Sequence, residues 1–292
     1  MTCFLPQVYS FHMNDQPISI AFFGTPDLCI PYLDALEEFG ILPRIVVTNP
    51  DRPQGRKHSE LIPTAPKAWA TPRNIDVFQP EKLDDAAYEK MTEKKWDLFI
   101  VIAYGKIIPQ RFIDIPKHGT LNVHYSLLPR WRGATPTEAA ILAGDQETGV
   151  TIQQMRYKLD SGPSVAQARI VLDGDETTLQ LREVLTEIGA EVLIETLPAY
   201  LNGDITPAEQ DESQVTTCTL TKKSDGEITL DMADEDLWRK YRTYTPWPGL
   251  FFFDEDGKRI KITQADYSDE KFVIEKVVPE GKKEIEYTEY SK

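Results

Sequence analysis

The chain has 292 residues, 41% hydrophobic and 27% charged, enough for one large domain, one small one and a substantial buried core. A formal net charge of -15 speaks against a general nucleic-acid binder, because phosphate recognition ordinarily leaves a basic footprint. No apolar run approaches the roughly 18 residues of a membrane span, residues 1–14 lack the basic start of a secretion signal, and Cys3, Cys29 and Cys218 have no paired spacing, as in a cytoplasmic protein with reduced thiols.

Residues 1–16 precede the first regular segment and are expected as an N-terminal extension, with Met13 as an alternative start. Residues 18–23 form a short apolar run ending at Gly24-Thr25-Pro26, and 28–36 carry apolar residues near helical spacing. Residues 44–48, 97–103 and 120–124 continue the strands, Thr135-Pro136 opens a helix, 150–154 and 164–172 are two more strands, and 179–200 is a long helix that Pro198 bends or ends. This alternation predicts an α/β, Rossmann-like domain over 17–203 with a mostly parallel sheet. Residues 204–217 are polar and turn-rich, as a linker would be. In 218–292 a helix is predicted at 234–244 and a hairpin from Phe251-Phe252-Phe253 through Asp254-Glu255-Asp256-Gly257 to 258–262, giving a small, incomplete, barrel-like β domain. Trp238 and Trp247 are expected to pack rather than to stack on bases.

Several chemistries lack their signature. Gly24 is one glycine where a dinucleotide fingerprint needs three, and neither a phosphate-binding P-loop, a zinc-type His/Cys cluster nor a Gly-x-Ser-x-Gly elbow is present. His12, His58 and His118 are isolated, so no metal is expected. What remains is Asn122, His124 and Asp160. In an alternating strand Asn122 and His124 point to one side, and the turn 129–133 ends that strand at a sheet edge, where open α/β sheets collect ligands. The loop Lys158-Leu159-Asp160-Ser161-Gly162-Pro163 can return a carboxylate to the imidazole. Such a trio can move an acyl group to an amine without a covalent intermediate. His124 takes the proton of the attacking nitrogen, Asn122 donates to the oxygen that gains charge, and Asp160 orients the imidazole and favours its charged form.

The order Asn122-x-His124, Ser126-Leu127-Leu128-Pro129, Arg132-Gly133 and then Asp160-x-Gly162 resembles the 10-formyltetrahydrofolate-dependent formyltransferases, and the likeness runs from about residue 18 to 283. The resemblance implies that Asn122, His124 and Asp160 are catalytic and that Ser126, Leu127, Leu128 and Pro129, with Arg132, adjoin the folate donor. Ala103-Tyr104-Gly105-Lys106-Ile107-Ile108-Pro109 looks like the family's folate-side strand end, adding Tyr104 and Gly105. Two further stretches resemble the members that act on methionyl initiator tRNA. One is Asp51-Arg52-Pro53-Gln54-Gly55-Arg56-Lys57, followed by Leu61-Ile62-Pro63 and Lys67; the other comprises Thr245-Pro246-Trp247-Pro248-Gly249 and Lys258-Arg259-Ile260-Lys261-Ile262. They imply tRNA contacts from Arg52, Arg56, Lys57, Lys258, Arg259 and Lys261, a monomer, and an OB-like C-terminal barrel reduced in length. An amino sugar on a nucleotide as acceptor, and a folate- or tRNA-binding module without catalysis, remain as alternatives.

Overall fold

The computed structural model describes residues 12–13, 16–54 and 60–291. Its larger sheet is built from β1 (Ile20–Gly24), β2 (Ile45–Val47), β5 (Asp76–Phe78), β6 (Leu98–Ile102), β7 (Thr120–His124), β8 (Glu147–Gln154) and β9 (Ser164–Val171), while β3 (Arg52–Gln54) and β4 (Glu60–Ile62) form a separate hairpin. The strand order is β9-β8-β7-β6-β1-β2-β5. Pairs β7/β6, β6/β1, β1/β2 and β2/β5 are parallel, and β8 runs antiparallel to β7. The two central strands read Ile-Ala-Phe-Phe-Gly and Leu-Phe-Ile-Val-Ile and are buried at every position, as parallel strands covered on both faces require. Phe23, Phe99 and Tyr104 pack edge-on or tilted in this core, joined by Trp96, Met91 and Phe112.

β7 is interior, flanked by β6 and β8, so its residues do not lie at a lateral sheet edge. The turn that follows it leaves from the strand's carboxyl end, which is the end where such sheets bind ligands. Leu121 and Val123 are buried on one face, and a Cβ at Gly189 of the long helix Thr178–Asn202 would lie 3.2 Å from Val123 Cγ1. Asn122 and His124 therefore point away from this helix. Pro198 does not end the helix, which continues to Asn202. Leu193, Leu197, Tyr200 and Leu201 are buried on either side of the proline, and that packing holds the last turn in place.

Tertiary contacts divide the chain into two compact units: residues 1–132, 149–168 and 183–215, and residues 133–148, 169–182 and 216–292. The second unit contains the helix Pro136–Ala143, opened by proline and closed by left-handed Gly144, and the helix Asp234–Tyr244, whose first turn holds Asp234, Glu235 and Asp236 near the positive end of the helix dipole. Its β10 (Phe251–Phe253), β11 (Arg259–Ser268), β12 (Lys271–Pro279) and β13 (Ile285–Glu286) form an antiparallel sheet in chain order around Ile228, Leu237, Leu250, Phe252, Ile260, Ile262 and Val277. β11 extends well past residue 262, because Asp269 and Glu270, at φ 51° and 58°, make the two-residue turn that suits the twist of a hairpin. Trp238 stacks between Tyr241 and Tyr267. Trp247, expected to pack, is 56% exposed instead, in the turn between the helix and β10.

Candidate active site

Asn122 and His124 reach one pocket because β7 alternates, and Asp160 arrives there from the loop between β8 and β9. His124 is 6% exposed. Its Nε2 lies 2.8 Å from the main-chain oxygen of Trp131. A carbonyl only accepts, so Nε2 carries the hydrogen and donates. The nitrogen left to gain a proton is Nδ1, 3.7 Å from Asp160 Oδ2. The Trp131 carbonyl thus holds one ring nitrogen, a contact that sequence reasoning did not foresee, and the Asp160 carboxylate faces the other.

Left-handed backbone occurs at both non-glycine residues that face the His124 ring, Trp131 (φ 59°) and Asp160 (φ 48°). Such conformations cost about 1 kcal/mol or more each and collect at functional sites. The one at Trp131 turns its carbonyl toward His124, and the one at Asp160 turns the carboxylate inward. The amide of Asn122 makes no hydrogen bond among the described residues, leaving both its N–H groups available.

Residues 126–129 form a turn fixed from outside. Thr151 Oγ1 donates to Ser126 O at 2.7 Å and accepts from Leu128 N at 3.1 Å, and Gln167 Nε2 donates to Leu128 O at 2.9 Å. The Ser126 hydroxyl donates to Arg130 O at 2.6 Å, closing the turn on itself. Leu128 is buried, whereas Leu127 and Pro129 are half-buried. The Arg132 guanidinium is 4% exposed; it donates to Gln210 Oε1 and to Glu212 Oε1. Gln210 in turn donates from Nε2 to Asp160 O at 2.8 Å and Gly162 O at 2.6 Å. The polar stretch after the long helix Thr178–Asn202 therefore straps the loop that carries Asp160. Arg132, with Lys158, holds the Glu212 carboxyl below the usual carboxylate range.

The Tyr104 ring is buried in the core, and burial pushes its phenol up to about 12. Its carbonyl accepts from Thr25 and Asn49, both at 3.0 Å, while Gly105 is exposed at φ 78°. What this loop offers a ligand is main chain and Ile107, whose side chain is 79% exposed. Tyr157 and Leu159, 64% and 67% exposed, stand on the Asp160 loop, which Gln110 ties down by accepting from Tyr157 N at 2.9 Å. These two loops thus leave three large side chains, Ile107, Tyr157 and Leu159, with apolar surface in solvent.

Among the basic residues singled out, Arg52 is exposed on the β3/β4 hairpin, and Arg56 and Lys57 lie outside the described residues. Lys67 donates to Gln79 at 2.8 Å and pairs with Asp51. Lys258 pairs with Asp256 at 2.9 Å, and Arg259 lies 3.9 Å over the Phe251 ring. Arg259 and Lys261 share the outer face of β11, since Ile260 and Ile262 between and beyond them are buried.

Thr151, Gln153, Gln210 and the Trp131 carbonyl escaped the sequence reading. Gln153 Nε2 donates to Asp160 Oδ1 at 2.8 Å. None of the four sits in a motif; for Thr151 and Gln153 the available signal is polar residues in an otherwise buried strand. Among the described residues no group of three His, Cys, Asp or Glu could hold a metal, and no helix is long and apolar enough to cross a membrane.

A family profile described as "Formyl transferase" matches residues 18–197, and another, "Formyl transferase, C-terminal domain", matches residues 221–285. The chain is 44% identical over 232 residues to the methionyl-tRNA formyltransferase of Halorhodospira halophila, which covers 79% of this chain and 74% of that one. Two solved structures share the fold at 16% identity. One is an N-formyltransferase from Helicobacter canadensis in complex with folinic acid and dTDP-3-aminofucose (TM-score 0.65, covering 88% of this chain and 95% of that one). The other is methionyl-tRNA formyltransferase from Clostridium thermocellum (TM-score 0.60, covering 92% and 99%). By the span of the family match and the identity to its curated relatives, the chain belongs to the formyl transferase family, alongside the methionyl-tRNA formyltransferases.

Proposed function

We propose that the protein transfers a formyl group from 10-formyltetrahydrofolate to the α-amino group of methionyl initiator tRNA. The observation that carries this reading is the meeting of Asn122, His124 and Asp160 in a chain 44% identical to a methionyl-tRNA formyltransferase. His124 Nδ1 receives the proton of the attacking amine, and Asp160 beside it balances the imidazolium charge. Asn122 donates to the oxygen that gains charge on the carbon under attack. The same Nδ1 can then return its proton to the departing nitrogen. Bound folate supplies the formyl group. The exposed Ile107, Tyr157 and Leu159 each offer apolar surface of the kind a flat heteroaromatic ring needs; the main chain at Tyr104 and Gly105 and the turn at Ser126, Leu127, Leu128 and Pro129 complete its site.

Arg132, through Gln210, keeps the Asp160 loop closed. Arg52, Arg56, Lys57, Lys258, Arg259 and Lys261 engage the tRNA, while the acidic remainder repels it from other surfaces. We read the open C-terminal sheet as a reduced OB-like barrel, the domains as 17–203 and 218–292, and the protein as a cytoplasmic monomer.

The test is formylation with 10-formyltetrahydrofolate and three acceptors in parallel: initiator methionyl-tRNA, elongator methionyl-tRNA and an amino-sugar nucleotide. Product on the initiator species alone is expected; product on the sugar alone would sink the tRNA reading. His124→Ala should lower turnover by about 10²-fold or more with folate binding little changed. Turnover within a few-fold of the parent would remove His124 from the chemistry.

A further inference from the structure

Gln153 sits on β8 with its Cα paired to that of Asn122 on β7. Residues directly opposite in an antiparallel pair carry their side chains on the same face, with Cβ atoms about 5 Å apart. Gln153 therefore shares the face of Asn122 and His124. It is 1% exposed, and its Nε2 donates to Asp160 Oδ1 at 2.8 Å. An ionised carboxylate only accepts, so the amide nitrogen must face Asp160 and the amide oxygen must face away. That oxygen is buried without a hydrogen-bond partner among the described residues. The amide of Asn122, its register partner, has two unused N–H groups. A buried acceptor lacking a donor thus lies opposite a donor lacking an acceptor.

We propose that Gln153 is a positioning residue that couples Asn122 to Asp160, an inference resting on the catalytic roles given above. Its Nε2 fixes the carboxylate, and its Oε1 accepts one N–H of Asn122 when the site is loaded. The other N–H of Asn122 is then aimed at the oxygen that gains charge. Gln153 touches neither substrate nor the reacting atoms. It sets the angle of two groups that do, and joins the oxyanion donor to the carboxylate beside the base in one hydrogen-bonded chain.

Gln153→Met, close in volume and unable to make either bond, should lower kcat by about 10- to 100-fold with both KM values within threefold of the parent. It should also move the acidic limb of the kcat/KM profile, which reports the base His124, to higher pH, because a carboxylate that loses a donor pairs more strongly with a charged imidazole beside it. Gln153→Glu, which sets a second carboxylate against Asp160, should move that limb further in the same direction. Thermal melts run alongside, since a purely structural glutamine would change the melting temperature and leave the limb in place. An unmoved limb in both variants, or kcat within threefold of the parent in Gln153→Met, overturns the proposal. If Gln153→Met does not fold, the limb in Gln153→Glu decides alone. Asp160→Asn and His124→Ala serve as controls. Should they keep turnover, the catalytic assignment falls and the Gln153 role with it; should they lose turnover while Gln153→Met does not, only the role of Gln153 falls.

Discussion

Replacing Gly162 by alanine would place a Cβ 1.8 Å from the carbonyl oxygen of Gln154 and 2.9 Å from its carbonyl carbon. Gln154 ends β8, a strand held between β7 and β9, and its own N–H donates to Pro163 O at 2.9 Å, so neither side of the clash is a flexible side chain. Real Cβ contacts essentially never fall below 3.0 Å, which forces the 160–163 loop back by at least roughly 1.2 Å. The Gln210 bonds to Asp160 O and Gly162 O, at 2.8 and 2.6 Å, would stretch together. Asp160 Oδ2, already 3.7 Å from His124 Nδ1, would move to roughly 5 Å. A misplacement of about 1 Å in a catalytic group lowers turnover by about 10²-fold, or about 2.7 kcal/mol of barrier. The same overpacking should destabilise the fold by about 1–3 kcal/mol. Steady-state kcat at saturating methionyl-tRNA and donor, paired with a thermal melt, separates the two effects. A Gly162→Ala protein with kcat within threefold of the parent would refute the idea that contact with Gln154 is what holds Asp160 against His124.

Three further outcomes follow from particular side chains. Cys29 is fully buried, and that burial pushes its thiol well above the ordinary range, so in the folded protein at about pH 8 an alkylating reagent should leave Cys29 untouched until denaturant is added; peptide mapping that finds it labelled in the native state contradicts the packing. Glu212, held below its usual 4.5 by Arg132 and Lys158, stabilises the fold above that pH and loses the contribution as pH falls through the lowered value. The urea-midpoint difference between parent and Glu212→Gln should therefore be larger at about pH 7 than at about pH 3, and an equal difference at both would show that the Glu212 ion pair is not linked to stability. Arg259→Ala and Lys261→Ala should each weaken tRNA binding and reduce the slope of log affinity against log salt by about 0.7–1, whereas an unchanged slope would return β11 to ordinary surface.

Local pattern made much of the fold legible. The period-two alternation of 120–124 put Asn122 and His124 on one side whatever β7 packs against, because that geometry belongs to any strand. The helix at 234–244 and the turn at 254–257 were visible from helical spacing and turn-forming residues, which are local effects too. Pairing across distance was hidden. The β3/β4 hairpin read as a loop, since Arg-Pro-Gln and Glu-Leu-Ile carry no strand signal apart. Gln153 gained its task only when β8 paired with β7 in a register that sets it opposite Asn122, a choice that no residue of β8 announces. Trp131 became the partner of His124 through a left-handed backbone that side-chain identity does not predict, and Gln210 reached Asp160 across 50 positions of chain. The sequence by itself determined which groups could do the chemistry and which strand would carry two of them, because spacing along one element is fixed by backbone geometry. The tertiary structure decided which nitrogen of His124 is open, what holds Asp160, and that residues 133–148 and 169–182 cluster with the C-terminal segment, because those outcomes depend on register and loop closure over long stretches of chain.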